Sequence, residues 1–142
     1  MLQNWAREAN VTIIGLERPG EQLGLFDDIP LHQQVLFAKI ALQESERVAT
    51  AKRRIIHAYL DGDLEGLLKT SLDGPTAAEC ALNDRFVKQG IFARNRRMVN
   101  RLRAAYARGN LFVAVGALHL PGQQGLVSLL RGCGYDMSPI FF

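Results

Sequence analysis

Apolar residues along this chain fall into two patterns, short unbroken runs and longer helical stripes. Val11-Thr12-Ile13-Ile14-Gly15-Leu16 and Leu111-Phe112-Val113-Ala114-Val115 are rich in β-branched and large apolar residues, and Asn10, Gly109-Asn110 and Gly116 bound them. Their length and composition predict strands buried on both faces. Tyr135 to Phe142 predicts a third strand, with Pro139 best tolerated on a sheet edge.

The stripes predict helices. Leu2, Trp5, Ala6 and Ala9 are spaced for a short first helix without a capping residue before it. The turn Arg18-Pro19-Gly20 leads into a helical segment through Leu23, and Asp27 or Asp28 caps a longer helix opened by Pro30. From Leu31 to Tyr59 the apolar residues Leu31, Val35, Leu36, Ile40, Leu42, Val48, Ile55 and Ile56 form a stripe with a break near Ser45. Asp61-Gly62-Asp63 ends that helix and starts a short one through Leu64, Leu67 and Leu68. Ser71 to Pro75 is a loop, Thr76 to Phe92 a further helix weakened at Gly90, and Arg94 to Arg108 a separate amphipathic helix with Met98, Val99, Leu102 and Tyr106 on one face. Pro121-Gly122 opens the last helix, which Gly132-Cys133-Gly134 terminates. The sum is a single α/β domain over residues 1–142, mostly helical, with a small mixed sheet of about three strands.

Composition narrows the class without deciding the function. Hydrophobic residues make up 48% of the 142 residues and charged ones 22%, which suits a globular domain with a real core. The longest apolar run, Leu111 to Leu118, is too short for a membrane span, and residues 1–10 lack the layout of a signal peptide. A net charge of +3 does not point to nucleic acid. Six arginines (Arg94, Arg96, Arg97, Arg101, Arg103 and Arg108) line one helix, read as a solvated face or, alternatively, a phosphate-binding one. Cys80 and Cys133 have no CxxC spacing and are expected to be small buried hydrophobes. His32 and His57 lack a second ligand at helical spacing and read as surface or packing residues.

The candidate chemistry collects at the predicted strand ends. Gly116 is expected to bend the backbone, and His119 then lies just past a strand, where open α/β sheets place their ligand sites. It is either a packed structural histidine or a ligand. Glu17 ends the first run in the same way, and either pairs with Arg18, caps a helix or faces His119. Arg94 precedes the regular part of its helix, so its guanidinium is free to hold a carboxylate through two hydrogen bonds.

Several of these pieces stand in the order of a known family. The run VTIIGLERPGEQL, the segment Tyr59-Leu60-Asp61-Gly62-Asp63-Leu64, the pair Arg94-Asn95 and the block VAVGALHLPGQQGLVSLLRGCGYDMSPIF together resemble the C-terminal half of the TraB/GumN family, related to the Tiki proteins. The resemblance spans nearly the whole chain and implies that it is half of a larger TraB/GumN-like domain. The family is thought to contain metal-dependent, peptidase-like hydrolases, and other members inhibit a peptide pheromone signal. Its members carry two GxxH motifs with acidic residues and an arginine. Here Gly116 and His119 match the second motif, Glu17 the acid of the GLE segment, and Arg94 the arginine of the RN pair. The first GxxH and the acid that follows it have no counterpart.

The resemblance therefore implies a divalent metal, manganese, cobalt or zinc, with His119 as ligand and Glu17 as ligand or general base. Arg94 would orient a carboxylate or polarise a carbonyl. It implies a peptide or protein substrate, or, in the alternative, a non-catalytic peptide- or protein-binding regulatory module. Self-association, or pairing with the missing N-terminal half, would cover the open sheet. Relatives are often exported or membrane-associated.

Overall fold

A computed structural model of the chain describes residues 1–21, 24, 29–43, 45–73 and 77–140. The expected helical stretch at Gln22-Leu23, the cap at Asp27 or Asp28, the end of the Ser71–Pro75 loop and the last two residues, Phe141 and Phe142, lie outside that set. Among the described residues, α1 (Leu2–Glu8), α2 (Leu31–Gln43), α3 (Ser45–Leu60), α4 (Leu64–Leu72), α5 (Ala77–Val87), α6 (Ala93–Tyr106) and α7 (Leu126–Gly132) carry the fold, and residues 19–21 and 24 are helical as well. A π-helical turn, Lys88–Phe92, joins α5 to α6, and a 3₁₀ turn, Ala117–His119, precedes α7.

No strand occurs among the described residues, which overturns the expected α/β class and its small mixed sheet. Residues 11–15, 109–116 and 135–140 carry no regular secondary structure, and none pairs with another; Gly109 and Asn110 turn the chain at φ 71° and 50°. No backbone hydrogen bond among the described residues involves residues 12–15 or 111–115. The apolar run reported a preference for an extended, half-buried chain; a sheet also needs a neighbouring backbone in register, and these segments have none. They are not buried on both faces either. Leu16, Val115, Tyr135 and Met137 pack inward on a cluster formed by Met98 and Val99 of α6 with Leu126 and Leu130 of α7. Val11, Ile13, Ile14 and Phe112 stay exposed.

The helices follow local rules more closely. Asp63 caps α4 by accepting the Gly66 amide at 2.8 Å, and Gly62 turns the chain between α3 and α4 at φ 69°. The α7 terminus closes as its Gly-Cys-Gly pattern predicts: the Gly134 amide bonds to Arg131 O at 2.9 Å and the Tyr135 amide to Leu130 O at 3.2 Å. Tyr135 then stacks on Tyr106 of α6, ring centroids 4.4 Å apart. The break near Ser45 falls between α2 and α3. Four expectations change. Gly90 does not weaken a helix end, because α5, the π turn and α6 run on continuously and bury it. Pro121 to Gly125 form a turn, so α7 begins only at Leu126. The α2–α3 stripe leaves Leu31, Leu42 and Tyr59 in solvent. Cys133 is exposed and Cys80 half-buried, so neither is the buried hydrophobe expected.

The glycines at the two ends of the 116–125 segment differ in what they permit. Gly116 has φ −62°, so its bend needs no left-handed conformation, and a Cβ there would sit at an ordinary 3.7 Å from His119 Cδ2. A Cβ at Gly125 would collide with the carbonyl oxygens of Leu120 and Pro121. Gly116→Ala is therefore expected to change stability by less than about 1 kcal/mol, and Gly125→Ala to cost on the order of 2 kcal/mol or more. Urea denaturation of both variants checks the contrast.

Candidate functional site

The site is built on the first turn of α6, where two consecutive residues reach in different directions. Arg94 turns toward the chain entering from residue 16. Its Nε donates to Glu17 Oε1 at 2.6 Å and its Nη2 to Glu17 Oε2 at 2.6 Å, while Nη1 donates to Gly90 O at 2.9 Å. The expected two-point grip on a carboxylate is therefore present, and the carboxylate is Glu17 rather than a bound molecule. Arg94 achieves this from inside α6, directly after the π turn whose Gly90 carbonyl it caps, and not from a position ahead of the helix. The Arg94 hydrogen bonds hold the Glu17 carboxyl below its ordinary value of 4.5, against an opposing effect of burial.

Asn95 reaches the other way and is fully buried, at 0% exposure. Its Nδ2 donates to the carbonyls of His119 at 3.1 Å and Gln124 at 2.8 Å. Two carbonyls can only be served by the amide nitrogen, so Oδ1 must face the third partner, His119 Nδ1, 2.5 Å away. Nδ1 therefore carries the proton of the neutral ring, and Nε2 keeps a lone pair. No hydrogen bond engages Nε2 among the described residues. This is the arrangement by which an outer partner sets the tautomer and direction of a ligating or proton-accepting histidine.

His119 owes its position to the 3₁₀ turn rather than to a sheet edge. Its amide bonds to Gly116 O at 2.9 Å, and the ring is buried against α6. Burial and the Arg94 charge push its pKa below the ordinary 6.5, and Glu17 pulls weakly the other way. The imidazole is thus neutral at pH 7, with an ion pair beside it.

Glu17, Arg94 and His119, the three residues singled out from the sequence, are brought together, the first two by direct contact and His119 within reach of both charges. His32 and His57 lie on α2 and α3. Two residues escaped the sequence reading. Asn95 falls at i of the stripe Asn95, Met98, Val99, Leu102, so a polar residue in an apolar register was the available signal. Arg101 was assigned to a solvated or phosphate-binding face, but its Nη1 donates to Leu16 O at 2.6 Å and Glu21 Oε2 at 2.8 Å, and its Nη2 to Glu21 Oε1 at 2.7 Å. With the Arg18 amide adding a bond at 2.7 Å, the Glu21 carboxyl falls to about 2. Arg96 likewise donates to Gln124 Oε1 at 2.7 Å.

The donor set decides how far a metal fits. Nε2 of His119 is a suitable ligand atom, but both Glu17 oxygens are engaged by Arg94. Among the described residues no group of three or more His, Cys, Asp or Glu side chains is placed to hold an ion. A catalytic divalent ion takes about three protein ligands. The described residues alone do not supply that set.

The chain matches the family model of the TraB/PrgY/gumN family over residues 1–139 and belongs to that family. Comparison with curated proteins finds no match, and comparison with solved structures finds none. No helix among the described residues is long and apolar enough to cross a membrane.

Two predictions follow from the buried amide. Asn95→Ala leaves the His119 and Gln124 carbonyls without their donor and is expected to cost about 2–4 kcal/mol in urea denaturation. Nitrogen NMR of the His119 ring should show the Nδ1–H tautomer in the parent chain and a mixture of tautomers in the variant. The pH dependence follows from the depressed pKa. Below 6.5 the unfolded chain takes up the His119 proton before the folded one does, so stability is full above 6.5 and falls as pH drops through the folded value. His119→Gln should flatten that part of the stability profile, leaving the separate loss that begins below 4.5 as Glu17 protonates.

Proposed function

We propose that this chain contributes half of the site of a metal-dependent, peptidase-like hydrolase, with His119 offering Nε2 as its reactive lone pair. The observation that carries the reading is the Asn95–His119 contact, which fixes the neutral tautomer and leaves Nε2 unengaged. A structural histidine needs no such arrangement: its ring could be satisfied through both nitrogens. Membership of the TraB/PrgY/gumN family, with the hydrolase activity that the resemblance implies, supports the reaction class.

In this reading each residue has a distinct task. His119, neutral at pH 7, is the ligand or proton acceptor. Glu17 is a weak base, because Arg94 stabilises its charged form, so it serves as an anionic ligand or as the anchor that aims the guanidinium. Arg94 is the cation for a carboxylate or a polarised carbonyl of a peptide substrate, and must loosen from Glu17 to take it. The remaining ligands for manganese, cobalt or zinc come from outside the described residues, in the other half of the domain that the family resemblance calls for.

A second reading is favoured by the Glu17–Arg94 fork. Two groups that satisfy each other completely hold structure without chemistry, as a non-catalytic peptide- or protein-binding regulatory module would require. Titration of the chain with cobalt(II) or manganese(II), followed by NMR line broadening, separates the two. Weak binding centred on the His119 ring and abolished by His119→Ala is expected for the half-site. Absence of broadening at His119 overturns it in favour of the binding module, and tight His119-dependent binding refutes the assignment of the other ligands to residues elsewhere.

A further inference from the structure

The apolar stripe of α2 and α3 is only partly absorbed by neighbouring helices. Val48 lies in that stripe and is still 43% exposed, because it lines a cleft of about 390 Å³ formed by α2, α3, α4 and α5. That volume falls within the range of small-molecule sites, roughly 300–1,000 Å³. Phe37 and Ile40 from α2 and Val48 and Ala51 from α3 supply its apolar lining. The rest is polar. Arg47 and Arg54 stand two turns apart on the same face of α3, joined by Thr70, Asp73, Glu79 and Asn83 from α4, its C-terminal end and α5. None of these residues belongs to the Glu17–Arg94–His119 site.

The two arginines are held differently. Arg47 Nη2 donates to Glu79 Oε2 at 2.8 Å, and the Glu79 side chain is only 13% exposed, so this pair forms part of the wall. Arg54 Nη1 stands 3.5 Å from Asp73 Oδ2, with both side chains more than half exposed. A loose, solvated pair of that kind is worth little. A carboxylate entering the cleft can take two parallel bonds from the Arg54 guanidinium and displace Asp73 at small cost. Asn83 Nδ2 donates to the Asp73 carbonyl at 2.7 Å, so the backbone there stays tied to α5 when the Asp73 carboxylate swings away.

We propose that this cleft binds a small amphipathic monocarboxylic acid, its carboxylate on Arg54 and its apolar body against Phe37, Ile40, Val48 and Ala51. The charges of the lining select a monoanion. Two guanidiniums are matched by two carboxylates, so a dianion such as phosphate would meet Asp73 and Glu79 with one exchangeable guanidinium to hold it, and would leave the apolar wall unused. The inference is independent of any hydrolytic role for His119.

Amide NMR of the chain titrated with hexanoate tests it. Saturable shifts at Ile40, Val48, Ala51 and Thr70 are expected, with the millimolar affinity that a ligand of this size allows. Hexanamide has the same shape without the charge and should bind about tenfold more weakly or worse, a comparison that needs no substitution. Hexanoate should lose as much on Arg54→Gln. Arg53→Gln removes the same charge one position away, where the guanidinium bonds Thr50 instead, and should leave hexanoate binding unchanged. Inorganic phosphate at equal concentration should not displace hexanoate. Absence of saturable shifts at the cleft overturns the proposal. So does hexanamide, or hexanoate on Arg54→Gln, binding as tightly as hexanoate on the parent chain, an equal loss on Arg53→Gln, or displacement by phosphate.

Discussion

One buried amide constrains the site more tightly than any other group. Asn95 has no solvent to fall back on, so its two donors and its acceptor must be met by protein, and they are met by the His119 ring, the His119 carbonyl and the Gln124 carbonyl. Leaving a buried polar group unmet costs about 1–3 kcal/mol. Helix α6, the 3₁₀ turn and the loop before α7 are therefore locked in one relative arrangement. The direction and protonation of His119 follow from that arrangement rather than from anything in the GxxH motif itself.

The neighbouring residue ties in the other side. Arg94 and, two helical turns on, Arg101 each grip a glutamate of the segment 16–21 through two hydrogen bonds. These ion pairs matter more here than they would on a well-packed surface. The chain before them leaves Val11, Ile13 and Ile14 exposed, so apolar burial does little to hold it. The pairs are only partly shielded from water, which limits each to a modest contribution, but together they decide where Glu17 sits. The π turn before α6 contributes as well, presenting the Gly90 carbonyl to the Arg94 guanidinium.

A neutral imidazole beside a closed ion pair is a restrained kind of site. His119 keeps a usable lone pair, while Glu17 and Arg94 neutralise each other until something displaces one of them. The same economy shapes the outer surface. The α6–α7 cluster takes in Leu16, Val115, Tyr135 and Met137, while Val11, Ile13, Ile14 and Phe112 stay exposed.

The sequence by itself determined most of the helices, the turns at Asp61–Asp63 and after α7, and the choice of Glu17, Arg94 and His119 as the residues to watch. Helical hydrogen bonds close within a few residues, so periodicity, Asp63 as a cap and the glycines after α7 speak for structure locally. The tertiary structure decided what depends on distant backbone. Whether Val11–Leu16 and Leu111–Val115 become strands turns on a neighbour in register, which no run of apolar residues encodes, and among the described residues no neighbour is supplied. The buried network is the same case. Asn95 had no role of its own and Arg101 read as part of a solvated or phosphate-binding face until the fold set His119, Gln124, Leu16 and Glu21 beside them, because hydrogen-bond partners 24 to 85 residues apart are fixed only by packing.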